Sequence, residues 1–457
     1  MTPVPGAWRR HAFAPPALLM PAVFALVLLA QWPLVANPGW FSHDELQWAA
    51  AARPLDGGPP HWVGWLDVGA LQYRPLTFNL WLLLARSLGD SPMAFHGVVV
   101  AMGALNAALL AALLQRLQLS PLRAALAAAA FALGPYAMYV HGWVGTLGDL
   151  LWVAMALGIG WLSTAACPRP VPIATASGVL VLVALLAKES ALSIPALLAV
   201  AAVLDRSRAA WRWALAGAAV PALAYLLLRG GALMGAADAD PAYAWSVANG
   251  PVRWLEYHAY WPQPSVFEVS ATLLRGFTET RVLVALALWA GLVAALARVG
   301  WRWPVALLAG SVAALGPVLV LATAYNQYGY ALSALVPALV ALAWVQLPRV
   351  GRVIATVLAL LSLWHGVNVM HQVREVGEVQ AVFTPALVEA LATHGGGAPL
   401  RLQLSGDAER TRWVFQRLVH DVPHVGGVVV GGRVVLLAPG ETADIQVEAD
   451  GRLTPIR

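Results

Sequence analysis

The stretch PMAFHGVVVAMGALNAALLAALLQ, residues 92–115, runs from a proline to a glutamine without one Asp, Glu, Lys or Arg. At about 1.5 Å of rise per residue it covers a hydrocarbon core of about 30 Å as a single helix. Runs of the same kind flank it at 17–35, 121–140, 149–166, 171–187, 190–204, 211–228, 281–298, 303–323, 329–347 and 350–369. Together they give about eleven expected crossings and a mainly α, polytopic membrane fold. Composition agrees: 60% of the side chains are hydrophobic and 11% charged, against roughly 25% charged in an ordinary soluble domain.

The few charges report orientation. The net charge of +5 comes from arginines scattered over short loops, so no basic face exists for nucleic acid and no such partner is expected. Arg9 and Arg10 precede the first run and no small-x-small cleavage signal follows it, so 17–35 reads as a retained anchor. With the amino terminus in the cytoplasm, the loops carrying Arg116 and Arg123, Arg169, Arg206 to Arg212, Arg298 and Arg302, and Arg349 and Arg352 all fall inside. Loops 141–148 and 324–328, on the opposite face, hold no Lys or Arg. The single cysteine, Cys167, excludes an intramolecular disulfide.

Three longer segments then lie outside: 36–91, 229–280 and everything after 370. In the first, PLTFNLWLLLARSLG (75–89) is too short to span and reads as an interfacial amphipathic helix with Trp81 at headgroup level. The second, aromatic and broken by prolines, has the composition of a binding loop or lid in which Glu256, Tyr257 and His258 could meet an acceptor. The third reads as an amphipathic helix from 371, followed by short strands in RLQLSG, GGVVVGGRVVLLAP and ADIQVEADGRLTP. The expected domains are a membrane domain over 1–370 and a small α/β domain over 371–457.

FSHDELQWAA (41–50) places His43, Asp44 and Glu45 together just past the first run. One reading is a helix start, with Ser42 as cap and the acids at the positive end of the helix. The order of motifs supplies another. HDELQWAA (43–50), YRPLTFNLWLLLARSLG (73–89), DSPMAFHGVVVAMGALNAALL (90–110), HGWVGTLGDLLWVAMALG (141–158) and LLAKESALSIPALL (185–198) resemble, in that order, the first half of the GT-C superfamily of polytopic glycosyltransferases, which includes protein O-mannosyltransferases and the aminoarabinose transferases acting on lipid A. The resemblance covers residues 17–205 and is looser beyond, where Gln327 and Tyr328 replace that superfamily's arginine-tyrosine element. It implies inverting transfer of a sugar from a polyprenyl-phosphate donor to a hydroxyl acceptor on the periplasmic face of a bacterial inner membrane.

Such a transfer needs a carboxylate to take the acceptor proton and cations to hold the departing phosphate. Asp44 can be that base, with Glu45 or His43 orienting it. Asp149, at the outer start of its helix, is a second acidic pole that could bind acceptor, or share a divalent cation (Mg2+ or Mn2+) with Asp44; metal-free transfer is the alternative. Arg74 is placed to clamp phosphate, and an arginine snorkelling to the interface is the other reading. Lys188 is the only lysine of the chain and lies between two short apolar runs, where a buried cation must face a cavity or a partner. Glu189 could be that partner in a structural pair, whereas the resemblance implies contact with donor phosphate. A lipid-linked saccharide flippase and a catalytically silent scaffold with an outer interaction domain are the rivals. Convergence of Asp44, Asp149 and Lys188 on one outward cavity favours the enzyme, and scatter favours either rival.

Overall fold

The computed structural model describes residues 18–70, 72–165, 168–235, 241–394, 398–405, 408–438 and 441–456. Arg9, Arg10 and Cys167 lie outside the described residues. The described chain is mainly helical, with 17 α-helices and a small carboxy-terminal sheet region. In order these are α1 (Leu19–Ala30), α2 (Trp32–Val35), α3 (His43–Ala52), α4 (Pro75–Leu88), α5 (Pro92–Arg116), α6 (Pro121–Ala132), α7 (Pro135–Gly142), α8 (Leu147–Ser163) and α9 (Pro170–Ala187). There follow α10 (Ser193–Leu204), α11 (Ala210–Met234), α12 (Gly250–Tyr260), α13 (Thr280–Val299), α14 (Arg302–Leu315), α15 (Tyr330–Ala343), α16 (Arg349–Thr393) and α17 (Ala408–Val419).

Each apolar run of the sequence becomes a helix, but length sorts them. Seven helical stretches, over 92–116, 144–163, 170–187, 210–234, 280–299, 302–320 and 349–393, are long and apolar enough to cross a membrane. The pair α6 and α7, bent by 63° between its halves, makes an eighth if it is one span. The remaining runs form α1 and α10, of 12 residues each, and α15, of 14 residues. These are shorter than the roughly 20 residues a full crossing needs. Small residues let the helices approach closely. On α11, a Cβ added at Gly217 would stand 1.9 Å from the Ala174 carbonyl oxygen of α9, so any larger residue there pushes the two helices apart.

Two expectations change at the outer segments. The helix expected to begin at 371 is the continuation of α16, which runs unbroken over 45 residues through position 370, a length of about 68 Å. Buried positions continue beyond 370 at Val373, Val376, Phe383, Leu387 and Leu391, so packing gives the helix no reason to break there. The short helix α4 forms as expected, but Trp81 is buried, its indole N–H donating to the Val144 carbonyl at 2.8 Å. A buried indole with a backbone partner is a core residue here, not a headgroup anchor.

The carboxy-terminal unit contains the three expected strand regions: β1 (Leu400–Leu404), then β2 (His424–Val425), β3 (Val428–Val429) and β4 (Val434–Leu436), and finally β5 (Ile445–Val447) and β6 (Leu453–Pro455). A four-stranded sheet has the order β4-β1-β5-β6, with β1 parallel to both neighbours and β5-β6 an antiparallel hairpin, while β2 and β3 pair separately. The parallel strands need a crossover, and α17 supplies it. Phe415 of α17 packs against Phe383 of α16 with ring centroids 4.7 Å apart, which seats the unit on the extended end of the long helix and brings α17 to the start of α3.

Candidate functional site

Helix α3 begins as the cap reading requires. Ser42 adopts an extended backbone, and its N–H donates to the Glu45 carboxylate at 2.6 Å in a reciprocal capping box. Glu45 is therefore buried and engaged in the cap, and it does not line the cavity described below. Burial, with Asp44 beside it, pushes its carboxyl up from 4.5 to about 8. The folded protein then holds a proton that the unfolded chain releases, so this group's contribution is full below pH 4.5 and is lost as pH rises toward 8. Glu45→Gln keeps the cap. Its melting temperature should fall less than that of the native chain over that pH range, and an identical fall in both proteins would refute the assignment.

Asp44, one residue earlier, points elsewhere. Its side chain is 29% exposed, with His43 Nε2 at 3.3 Å from Oδ1. Burial holds the His43 imidazole below its ordinary pKa, against the pull of Asp44. It is thus neutral at neutral pH, able to orient the carboxylate without neutralising it.

Both residues line a cavity of about 590 Å³ that also includes Arg74, Lys188, Tyr328 and Arg417. Arg74 is the residue before α4. Its guanidinium grips Glu189 with two N–H groups, Nε to Oε2 at 2.8 Å and Nη2 to Oε1, the two-pronged contact that suits arginine and carboxylate. Lys188 is where α9 ends: its backbone turns extended, and Glu189–Leu192 forms a 3-10 turn before α10. The Thr77 hydroxyl caps the adjacent Ala187 carbonyl at 2.7 Å. The break predicted between two short apolar runs is thus present.

Lys188, however, does not pair with Glu189. Its Nζ meets Asp149 Oδ2, in the first turn of α8, at 2.5 Å, and both side chains are buried. The Tyr328 ring covers Nζ at 4.9 Å. Asp149 is therefore engaged by Lys188 and does not line the cavity with Asp44. Among the described residues, no three His, Cys, Asp or Glu side chains group as metal ligands.

The segment 229–280 is not an open lid at Glu256, Tyr257 and His258. These residues are buried in α12: Glu256 pairs with Arg253, and His258 Nδ1 lies 2.7 Å from the Trp254 carbonyl. Tyr257 has a supporting part instead. Its hydroxyl donates to the Tyr325 carbonyl at 3.0 Å and lies 3.2 Å from the Tyr325 N–H. Asn326 clamps the neighbouring strap by accepting from the Val269 N–H at 2.7 Å and donating to the Phe267 carbonyl at 2.7 Å. The AYNQYGY segment therefore presents Gln327 and Tyr328 to the cavity on a fixed turn.

Among the cavity residues outside the sequence-based assignment are Glu268, Trp413 and Arg417. Trp413 and Arg417 share one face of α17 at i,i+4, a spacing visible in AERTRWVFQRLV. Glu268 carries no local signal. No protein-family model, no curated protein and no solved structure matches this chain.

Proposed function

We propose that the chain is a membrane glycosyltransferase of the GT-C type, which moves a sugar from a polyprenyl-phosphate donor to a hydroxyl acceptor at the periplasmic face of a bacterial inner membrane. The observation that carries this reading is the meeting, in one cavity, of an accessible carboxylate, Asp44, with the cations Arg74, Lys188 and Arg417. Asp44 takes the proton of the acceptor hydroxyl while its oxygen bonds to the anomeric carbon. The bond from that carbon to the phosphate oxygen breaks, with inversion, and the phosphate leaves on its lipid. Cationic side chains stabilise charge that grows on the departing group. A flippase would need ionisable groups along a path through the midplane; here Asp44, Arg74 and Lys188 of the cavity stand at helix starts and ends.

The same geometry supports the expected sidedness. His43 and Trp413 line the cavity together, so α3 and the carboxy-terminal unit share a face. All seven long helices and the bent pair lie between them in sequence, an even number of crossings. It stays even if α10 and α15 cross as well. With α10 and α15 crossing, reporter fusions after residues 118, 169, 207 and 300 should score cytoplasmic and those after 145, 250 and 400 periplasmic; without them, 207 and 300 become periplasmic and 250 cytoplasmic. A cytoplasmic signal at 400 with a periplasmic one at 145 would contradict the shared cavity.

Activity is tested by reconstituting the purified full chain in proteoliposomes with lipid-linked sugars extracted from the producing cells. The expected result is time-dependent release of polyprenyl phosphate that requires an added envelope-glycan or protein acceptor. Translocation of the intact lipid-linked sugar without release would instead identify the flippase.

A further inference from the structure

The cations of the cavity are not equivalent. Arg74 is held by both oxygens of Glu189, and Lys188 is closed onto Asp149 at 2.5 Å. Arg417 approaches a carboxylate only at 3.8 Å, Nη1 to Glu268 Oε1, beyond hydrogen-bond length. Its Nε is buried and donates to nothing among the described residues. The Tyr139 hydroxyl lies within hydrogen-bond reach of it, and the Glu45 and His43 side chains are near enough to feel its charge. A buried donor without an acceptor costs about 1–3 kcal/mol, so a group that supplies one gains that free energy on binding.

What holds Arg417 is aromatic. The guanidinium carbon lies 4.6 Å from the centroid of Phe41, 4.8 Å from Trp413 and 5.9 Å from Trp143. Ring faces attract the cation but cannot accept its in-plane N–H bonds. The side chain is thus fixed in position with its Nε donor unspent, a preorganised fork of the shape that phosphate oxygens match.

We propose that Arg417, delivered by the carboxy-terminal unit, is the phosphate-binding residue of the Asp44 cavity, and that Glu268 is the neighbouring charge with which a phosphate competes. This rests on the reading of that cavity as a transfer site, and it makes the carboxy-terminal unit part of the site. Phosphate chemistry could reach Arg417 on the lipid donor or as a free anion.

The test measures binding to the purified full chain in nanodiscs with three probes: a polyprenyl monophosphate, the uncharged polyprenol of equal length, and inorganic phosphate. The native chain should prefer the lipid monophosphate over the alcohol by at least about tenfold, a difference of about 1.4 kcal/mol. Arg417→Met should erase that preference, and Arg417→Lys should restore only part of it. Glu268→Gln, which removes the competitor and leaves Arg417 in place, should tighten monophosphate binding several-fold; a purely structural pair predicts lower thermal stability and no tightening. Preference unchanged in Arg417→Met, or no tightening in Glu268→Gln, overturns the assignment while leaving the transfer reading intact. Arg417-dependent binding of inorganic phosphate without preference for the lipid form keeps the assignment and removes the lipid donor. Binding of neither phosphate removes both.

Discussion

Asp44→Asn is expected to insert and fold as the native chain does and to lose transfer by about 10² to 10⁴ in rate, the loss that follows removal of a general base. The substitution keeps the shape of the side chain. It leaves the helix start untouched, because Glu45 and Ser42 form the capping box. It also leaves His43 with a side chain to meet, so the neutral imidazole can stay in place. What disappears is the proton acceptor open to the cavity. A single-turnover assay with bound donor isolates this step from donor binding. Near-normal turnover would place the base elsewhere, and Glu45, buried and already accepting the Ser42 N–H, is a poor substitute.

Lys188→Met should instead act on the fold. The native pair is buried on both sides, with Lys188 and Asp149 side chains 5% and 2% exposed. Removing one partner leaves the other as a charge without compensation, a loss of about 3–5 kcal/mol for such pairs. The double variant Lys188→Met/Asp149→Leu removes both charges and should recover most of the lost stability, since two apolar side chains of similar volume need no partner. Lys188→Arg keeps the charge but places a longer, planar group between Asp149 and the Tyr328 ring, which stands 4.9 Å from Nζ; it should fall between the native chain and Lys188→Met. Thermal unfolding of the purified variants reads all three. Equal melting temperatures for native and Lys188→Met would show that the pair contributes nothing and return Lys188 to a role in phosphate expulsion.

The membrane helices were legible because lipid imposes a local demand: every crossing must be apolar over its own length. Residues 92–115 therefore announce α5 without reference to anything else. The start of α3 was legible for the same reason, since Ser42 and Glu45 are three residues apart and satisfy each other. So was the break at Lys188, where two short runs meet. The partners were not legible. Lys188 finds Asp149 across 39 positions and Arg74 finds Glu189 across 115, whereas sequence proximity suggested the pair Lys188 with Glu189. Trp81 likewise reads as an interfacial aromatic, and His258 as an acceptor contact, until their burial is known. Arg417 was hidden most deeply, because its place in the cavity depends on the long α16 bringing the carboxy-terminal unit to the start of α3.

The most direct test of transfer by Asp44 is mass spectrometry of envelope glycans, glycolipids and glycoproteins from cells in which Asp44→Asn replaces the native residue at its own locus, with the protein shown to be present in the membrane at native level. The expected result is the loss of one sugar from one acceptor class, with accumulation of the matching polyprenyl-phosphate sugar, and full restoration by the native gene. Envelopes from Asp44→Asn cells that match the native in every glycan, alongside a deletion strain that lacks one, would contradict it.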